Sequence, residues 1–362
     1  MSFVEVARAL TPQGWSGPVR VHLLADVIAA IEPIDSSTST ASLVPGFVDL
    51  QVNGIDDIDV SRAGGADWDR LDQLLLDQGV TTWCPTLVTM PLDRYERPLA
   101  RIGEAMARPT VGRPTIAGAH LEGPFLGRSP GAHPRDLIVP VDLEWLQALP
   151  AHVALVTLGP EQPDAVAATR LLTGRGCRVS AGHTQCSEDE FDACVRAGAS
   201  LTTHLYNGMS GVHHRTPGVA VFAMTNPDVC ASLIADGVHV HPRSLLLAAQ
   251  ALGPERMVLV TDAVAWRSGH VGSIGMELRD GAPRLPDGTL AGSAVTMIEA
   301  VQHCIRAGIP TETALRAASS NPARLMGLGD RGTIEVGRRA DLVELSAECS
   351  IERVWVAGEV AR

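Results

Sequence analysis

Eight short apolar runs, each closing on a polar or glycine-rich tip and followed by a stretch of helical periodicity, constrain this chain more than any other feature. They span Val44–Asp49, Thr81–Leu87, Ile116–Glu122, Val153–Leu158, Arg178–His183, Ser200–His204, Ala231–Asp236 and Met257–Asp262. Runs this apolar read as strands covered on both faces, the pattern of parallel strands under a layer of helices. Eight strand-then-helix units predict an α/β fold of the (β/α)8 TIM-barrel type, in which chemistry sits at the C-terminal strand ends. The two ends of the chain read differently. Residues 1–43 alternate apolar and polar, as in Val19-Arg20-Val21-His22-Leu23, around a polar tract at 35–40. Gly332–Gly337, Asp341–Leu345 and Arg353–Gly358 again read as short strands with turns. The expectation is one small β-sandwich built from both termini, 1–43 plus 335–362, beside a catalytic barrel over 44–334.

The 362 residues suffice for both units to bury a core. A formal net charge of −12, with Lys and Arg scattered rather than clustered, argues against a nucleic-acid footprint or a polybasic membrane patch. No run approaches the roughly 18 apolar residues of a membrane span, and the first residues lack the pattern of a secretory signal. The seven cysteines form no C-x-x-C pair, which indicates neither a disulfide framework nor a zinc ribbon. A cytoplasmic protein with reduced thiols is expected.

Glu122, His183 and His204 each close a predicted strand. One carboxylate and two imidazoles form a three-ligand site of the catalytic zinc type, with a fourth position left for water. A metal held there brings the pKa of that water near neutrality and supplies hydroxide for attack on an amide carbonyl. A single histidine at a strand end is more often an ordinary polar residue; three such groups with an acidic fourth read as one site. That fourth residue is Asp262, at the end of the eighth run, where a carboxylate beside the water can act as general base. Its other reading is a helix N-cap. His239, in Asp236-Gly237-Val238-His239-Val240-His241, can donate to a developing oxyanion, whereas a solvent-facing loop remains open for His241. No phosphate-binding glycine loop or dinucleotide fingerprint is present. The weaker candidates for an anionic ligand are the backbone at Asn207-Gly208, the cluster His213-His214-Arg215, and His133 in a Gly/Pro-rich loop.

At these residues the sequence resembles the amidohydrolase superfamily, and within it the N-acetylglucosamine-6-phosphate deacetylases, over nearly its whole length. The stretches that carry the likeness are Pro45–Gly54, His120–Phe125 (HLEGPF), Ser180–Thr184 (SAGHT), His204–Met209 (HLYNGM), Ala235–Val240, Leu259–Ala263, Leu290–Ala294 and Gly332–Val343. The resemblance implies that Glu122, His183 and His204 bind the catalytic metal, that Asp262 is the acid/base, and that His239 contacts the acetyl carbonyl. It also implies that His133, Asn207, Gly208 and Arg215 recognise a small amino-sugar phosphate, Arg215 reaching across a homodimer into the neighbouring site. Gln51 and Asn53 depart from the pattern, because the superfamily's first strand usually ends in two histidines there. One divalent ion per subunit is therefore expected, Zn2+ in the first place, with Fe2+, Co2+ or Mn2+ also suited to the donor set. Competing readings are a deacetylase for the galactosamine epimer, another cyclic-amide or deaminating amidohydrolase, and a non-catalytic sugar-phosphate-binding protein. The second leans on the missing His-x-His pair.

Overall fold

The computed structural model describes residues 2–362. Eight parallel strands run in sequence order around a nearly closed barrel: β1 (Phe47–Val52), β2 (Val80–Val88), β3 (Ala119–Glu122), β4 (Val153–Leu158), β5 (Arg178–Ala181), β6 (Leu201–Thr202), β7 (Cys230–Leu233) and β8 (Met257–Leu259). Closure runs through the chain just beyond β8, where Val52 bridges Ala263 and Asn53 N donates to Ala263 O at 2.8 Å. The TIM-type expectation holds. The last four strands end earlier than the apolar runs suggest, and this matters for chemistry: His183, His204 and Asp262 lie past the last ladder pairs rather than within them.

Apolar residues fill the barrel. Val48, Leu50, Cys84, Leu155, Leu201, Ile234, Val258 and Val260 form its inner cluster, joined at the N-terminal end by Ala323 of the helix Ser320–Leu325. The outer faces of the strands pack under the helices, with Trp83, Val156, Val179, Leu233 and Leu259 all buried there. Several helices start as the sequence announces. Ser187 and Glu190 form a reciprocal capping box at Glu188–Arg196, and Thr296 with Glu299 repeats it at Met297–Arg306.

Both termini build the second unit. One antiparallel sheet joins Ser2–Val6, Val19–Leu24 and Val27–Pro33; a six-stranded mixed sheet joins Arg8–Thr11, Gly14–Trp15, Ser42–Pro45, Leu342–Leu345, Ile351–Val356 and Glu359–Val360. Strand alternation divides the six-stranded sheet between two cores. Leu43, Leu342 and Trp355 face the three-stranded sheet, while Val44, Val343, Val354 and Val356 pack into the barrel core.

Three details differ from the sequence reading. The run Val44–Asp49 breaks at Gly46, where a Cβ would overlap the Thr81 side chain, so its first half belongs to the terminal sheet and its second half to the barrel. Gly332–Gly337 forms no strand; Gly332 and Gly337 adopt φ of 82° and 87°, which makes the segment a pair of turns. Past β8 the chain makes an unforeseen excursion over the barrel mouth. It carries two hairpins, His270–Val271 with Ile274–Gly275 and Glu277–Arg279 with Ala282–Arg284. Val271, Ile274 and Met276 of this excursion pack on Val88 and Val264.

Candidate active site

A cavity of about 380 Å³ opens at the C-terminal end of the barrel, lined among others by Asn53, Glu122, His133, His183, His204, Asn207, Gly208, His239 and Asp262. Three of its residues sit in strained backbone. His183, His204 and Asp262 have φ of 48°, 30° and 49°, a left-handed region that costs a non-glycine residue about 1–2 kcal/mol. The strain turns side chains that follow three different strands toward one point.

There, His183 Nε2 and His204 Nε2 approach Glu122 Oε1 at 3.1 and 2.9 Å, and each other at 3.1 Å. Atoms bound tetrahedrally to one ion at about 2.0–2.1 Å lie about 3.3 Å apart, so these three sit close to the spacing of a shared ion. His183 Nδ1 lies 3.1 Å from Ser129 O, a carbonyl that can only accept; Nδ1 therefore carries the proton and Nε2 offers its lone pair. Two imidazole nitrogens and a carboxylate oxygen converging this tightly leave room for one bridging proton or one cation. The donor set fits a divalent ion.

His133 also borders this point. Glu122, His133 and His183 offer ligand atoms all within 4.8 Å of one another, and His133 Nε2 stands 3.7 Å from Glu122 Oε2. Its Nδ1 accepts from Thr89 N at 3.3 Å, which puts the proton on Nε2 and makes that nitrogen a donor. Both the shorter distances and the tautomer favour His204 over His133 as the second imidazole ligand.

The electrostatics follow from burial. Burial opposes ionisation of Glu122, but its close contacts with the imidazoles of His133, His183 and His204 outweigh it and hold the carboxyl well below its usual range. His183 is lowered to about 4 by burial and by the neighbouring His133, which keeps it neutral as a ligand must be. Burial works against the proton on His204 too, yet its contact with Glu122 raises its pKa. Asp262 is pushed up to about 8, first by burial and then by the Glu122 charge.

Gln51 and Asn53 act on these same carboxylates. Gln51 Nε2 donates to Glu122 Oε1 and to Asp262 Oδ1, both at 3.0 Å, and Asn53 Nδ2 donates to Asp262 Oδ1 at 2.7 Å. Amide donors thus fill the positions where a His-x-His pair would stand, and they favour ionised Asp262.

His239 is held by Asp236, whose Oδ2 lies 2.6 Å from Nδ1 and whose Oδ1 accepts the His239 backbone N–H at 2.7 Å. This fixes the ring with Nε2 free toward the cavity. Asp236 was not singled out by sequence reasoning, although its spacing of three from His239 was available as a signal. His241 is the N-cap of the helix Pro242–Arg256, its Nδ1 accepting from Arg243 N at 3.2 Å. Gly208, with φ of 57°, packs so closely that a Cβ there would lie 2.8 Å from His183 Nδ1. Arg215 lies elsewhere: it is exposed on the 211–217 loop, lies 2.8 Å from His214 Nε2 through Nη1, and does not line the cavity of its own chain. Arg284 does line it, and sequence reasoning missed it.

A barrel with a buried carboxylate, two converging imidazoles and a further aspartate at its mouth defines a metal-dependent hydrolase of the amidohydrolase class. The family model of the amidohydrolase family matches residues 176–361. The N-acetylgalactosamine-6-phosphate deacetylase of Escherichia coli O157:H7 is 34% identical over 99% of this chain and 98% of its own. The N-acetylglucosamine-6-phosphate deacetylase of Bos taurus is 37% identical over 88% of this chain and 83% of its own. Among solved structures, the Mycobacterium smegmatis N-acetyl-D-glucosamine-6-phosphate deacetylase in complex with N-acetyl-D-glucosamine 6-phosphate superposes with a TM-score of 0.92 at 31% identity, all of both chains covered. The chain belongs to the N-acetylglucosamine-6-phosphate deacetylase family of the amidohydrolase superfamily.

Proposed function

We propose that this chain hydrolyses the acetamide of an N-acetylated amino-sugar 6-phosphate, N-acetylglucosamine 6-phosphate first among them, releasing acetate and the free amino sugar. The observation that carries this is the meeting of Glu122 Oε1, His183 Nε2 and His204 Nε2 within 3.1 Å, with Asp262 buried in the same cavity. Glu122, His183 and His204 would hold a divalent ion, Zn2+ by preference, which when bound polarises the amide carbonyl and lowers the pKa of a water beside it. Asp262 takes a proton from the attacking water as the water oxygen bonds to the carbonyl carbon. Gln51 and Asn53 favour the ionised carboxylate for this step by donating to Oδ1, against the burial that raises its pKa. When the C–N bond breaks, Asp262 returns the same proton to the leaving nitrogen. In its doubly protonated form His239, its Nδ1–H held by Asp236, donates from Nε2 to the carbonyl oxygen while negative charge builds there.

His133, Asn207 and Gly208 border the cavity as substrate-binding groups, and Arg215 serves the neighbouring site of a homodimer. Its exposed position outside its own cavity agrees with that role. The catalytic unit is the barrel over 44–334, flanked by the terminal sandwich of 1–43 and 335–362. We place the protein in the cytoplasm; all seven cysteines are unpaired, which suits a reducing compartment, and no helix among the described residues is long and apolar enough to cross a membrane.

One observation favours a second substrate. The relative that aligns over 99% of this chain is named for the galactosamine epimer. Acetate release from a panel of N-acetylhexosamine 6-phosphates decides between the epimers. Asp262→Asn should lower kcat by about 10²–10⁴-fold, the usual worth of a general base. Turnover that survives this substitution, or a wild-type protein that releases acetate from none of the panel, defeats the proposal.

A further inference from the structure

The chemistry above leaves one cation in the cavity without a task. Arg284 ends the strand Ala282–Arg284 in the excursion over the barrel mouth, and it lines the same cavity as Glu122, His183, His204 and Asp262. It is half-buried. Its Nη1 donates to Gly288 O at 3.0 Å, which fixes the plane of the guanidinium. Its Nε is buried and has no hydrogen-bond partner, and no carboxylate pairs with it among the described residues.

The arginines that hold this fold together are placed otherwise. Arg108 pairs with Asp72 at 2.8 Å, Arg339 pairs with Asp341 at 3.0 Å, and Arg256 satisfies backbone carbonyls of Ala223, Met224, Asn226, Val229 and Ala251. Each spends its donors within the protein. Arg284 spends one donor on Gly288 O; its Nε is closed off, and the donor left for a ligand in the cavity is Nη2, which has no partner among the described residues. In a chain of net charge −12, an anionic substrate meets attraction only where a cation stands inside its own pocket.

We propose that Arg284 is a substrate-binding residue, donating from its guanidinium to an oxygen of the amino-sugar phosphate, on the phosphate or on the sugar ring. The hairpin over the mouth is then part of the recognition surface rather than mere cover. This rests on the cavity being a sugar-phosphate site.

The test is steady-state kinetics of the metal-loaded protein with N-acetylglucosamine 6-phosphate or its epimer, whichever turns over. Arg284→Ala and Arg284→Gln are compared with Glu277→Ala, an exposed residue of the same hairpin, alongside metal content and thermal melting. KM should rise about tenfold or more, as for loss of a charge-assisted hydrogen bond. The same variants should keep kcat within about threefold and retain their metal, and Glu277→Ala should match the wild type. Competitive inhibition by inorganic phosphate separates the two oxygens: it weakens in step with KM if Arg284 holds the phosphate and stays unchanged if it holds a ring hydroxyl. An unchanged KM overturns the proposal, as does a rise that Glu277→Ala reproduces or that tracks loss of metal or of melting temperature. A wild type that releases acetate from no sugar phosphate defeats the proposed function instead, so the two failures are distinct.

Discussion

Asp262 must be ionised to accept a proton, so kcat/KM rises with pH through its pKa. Burial and Glu122 push that pKa up to about 8, the hydrogen bond from Asn53 pulls it down, and a bound dication pulls it down further. Asn53→Ala removes a donor that favours the charged form, and the sign is therefore upward: the acid limb of kcat/KM should move to higher pH. A hydrogen bond to an ionised group is worth about 1.5–3 kcal/mol, which corresponds to a shift of about one to two pH units. A pH–rate profile of the two proteins checks this, and coincident acid limbs would refute it. Glu122, His183, His204 and Asp262 were legible in the sequence because metal and base chemistry admit few residue types and each stood at the end of an apolar run. The amide donors and Arg284 were not. Gln51 reaches Asp262 across 211 residues of sequence, a proximity that only barrel closure creates. Arg284 ends a strand of three residues, too short for periodicity to point at the cavity.

At the scale of the element, the site is made by the turns just past the strands. The ladders stop at Ala181, Thr202 and Leu259, and the next few residues turn into left-handed backbone at His183, His204 and Asp262. The apolar runs reveal the strands but not this turn, because φ is set by contacts across the barrel mouth. Gly208 is one such contact. Alanine there must adopt φ near 57° and press its Cβ on His183 Nδ1, the atom that donates to Ser129 O. The ring would be displaced from its orienting partner, a kind of disruption that lowers metal affinity about 10–100-fold. Chelator competition on Gly208→Ala should show this weakening, with the fold kept; affinity equal to wild type would mean that the loop gives way instead of the ring.

For the whole molecule, the sequence pattern identified a barrel and a sandwich shared by both termini, since alternation and buried runs are local signals. It could not say whether one chain completes another's site, which depends on a surface. The residue that poses the question is Arg215, exposed and outside the cavity of its own chain. If it serves the neighbouring subunit, two defective proteins should repair one another. In a hybrid dimer of Arg215→Ala with Asp262→Asn, the site on the Asp262→Asn chain lacks its base and also receives alanine from its partner. The site on the Arg215→Ala chain keeps Asp262 and receives an intact Arg215 from across the interface. One working site per hybrid results. After dissociation and random reassociation of equal amounts, half the dimers are hybrids with one of two sites restored, so about a quarter of wild-type activity should return at substrate concentrations below KM. An arginine acting within its own chain gives no gain on mixing, because both sites of every dimer then carry a defect. Size-exclusion chromatography of the mixture establishes that dimers form, and a species that stays monomeric while fully active would rule out the shared site.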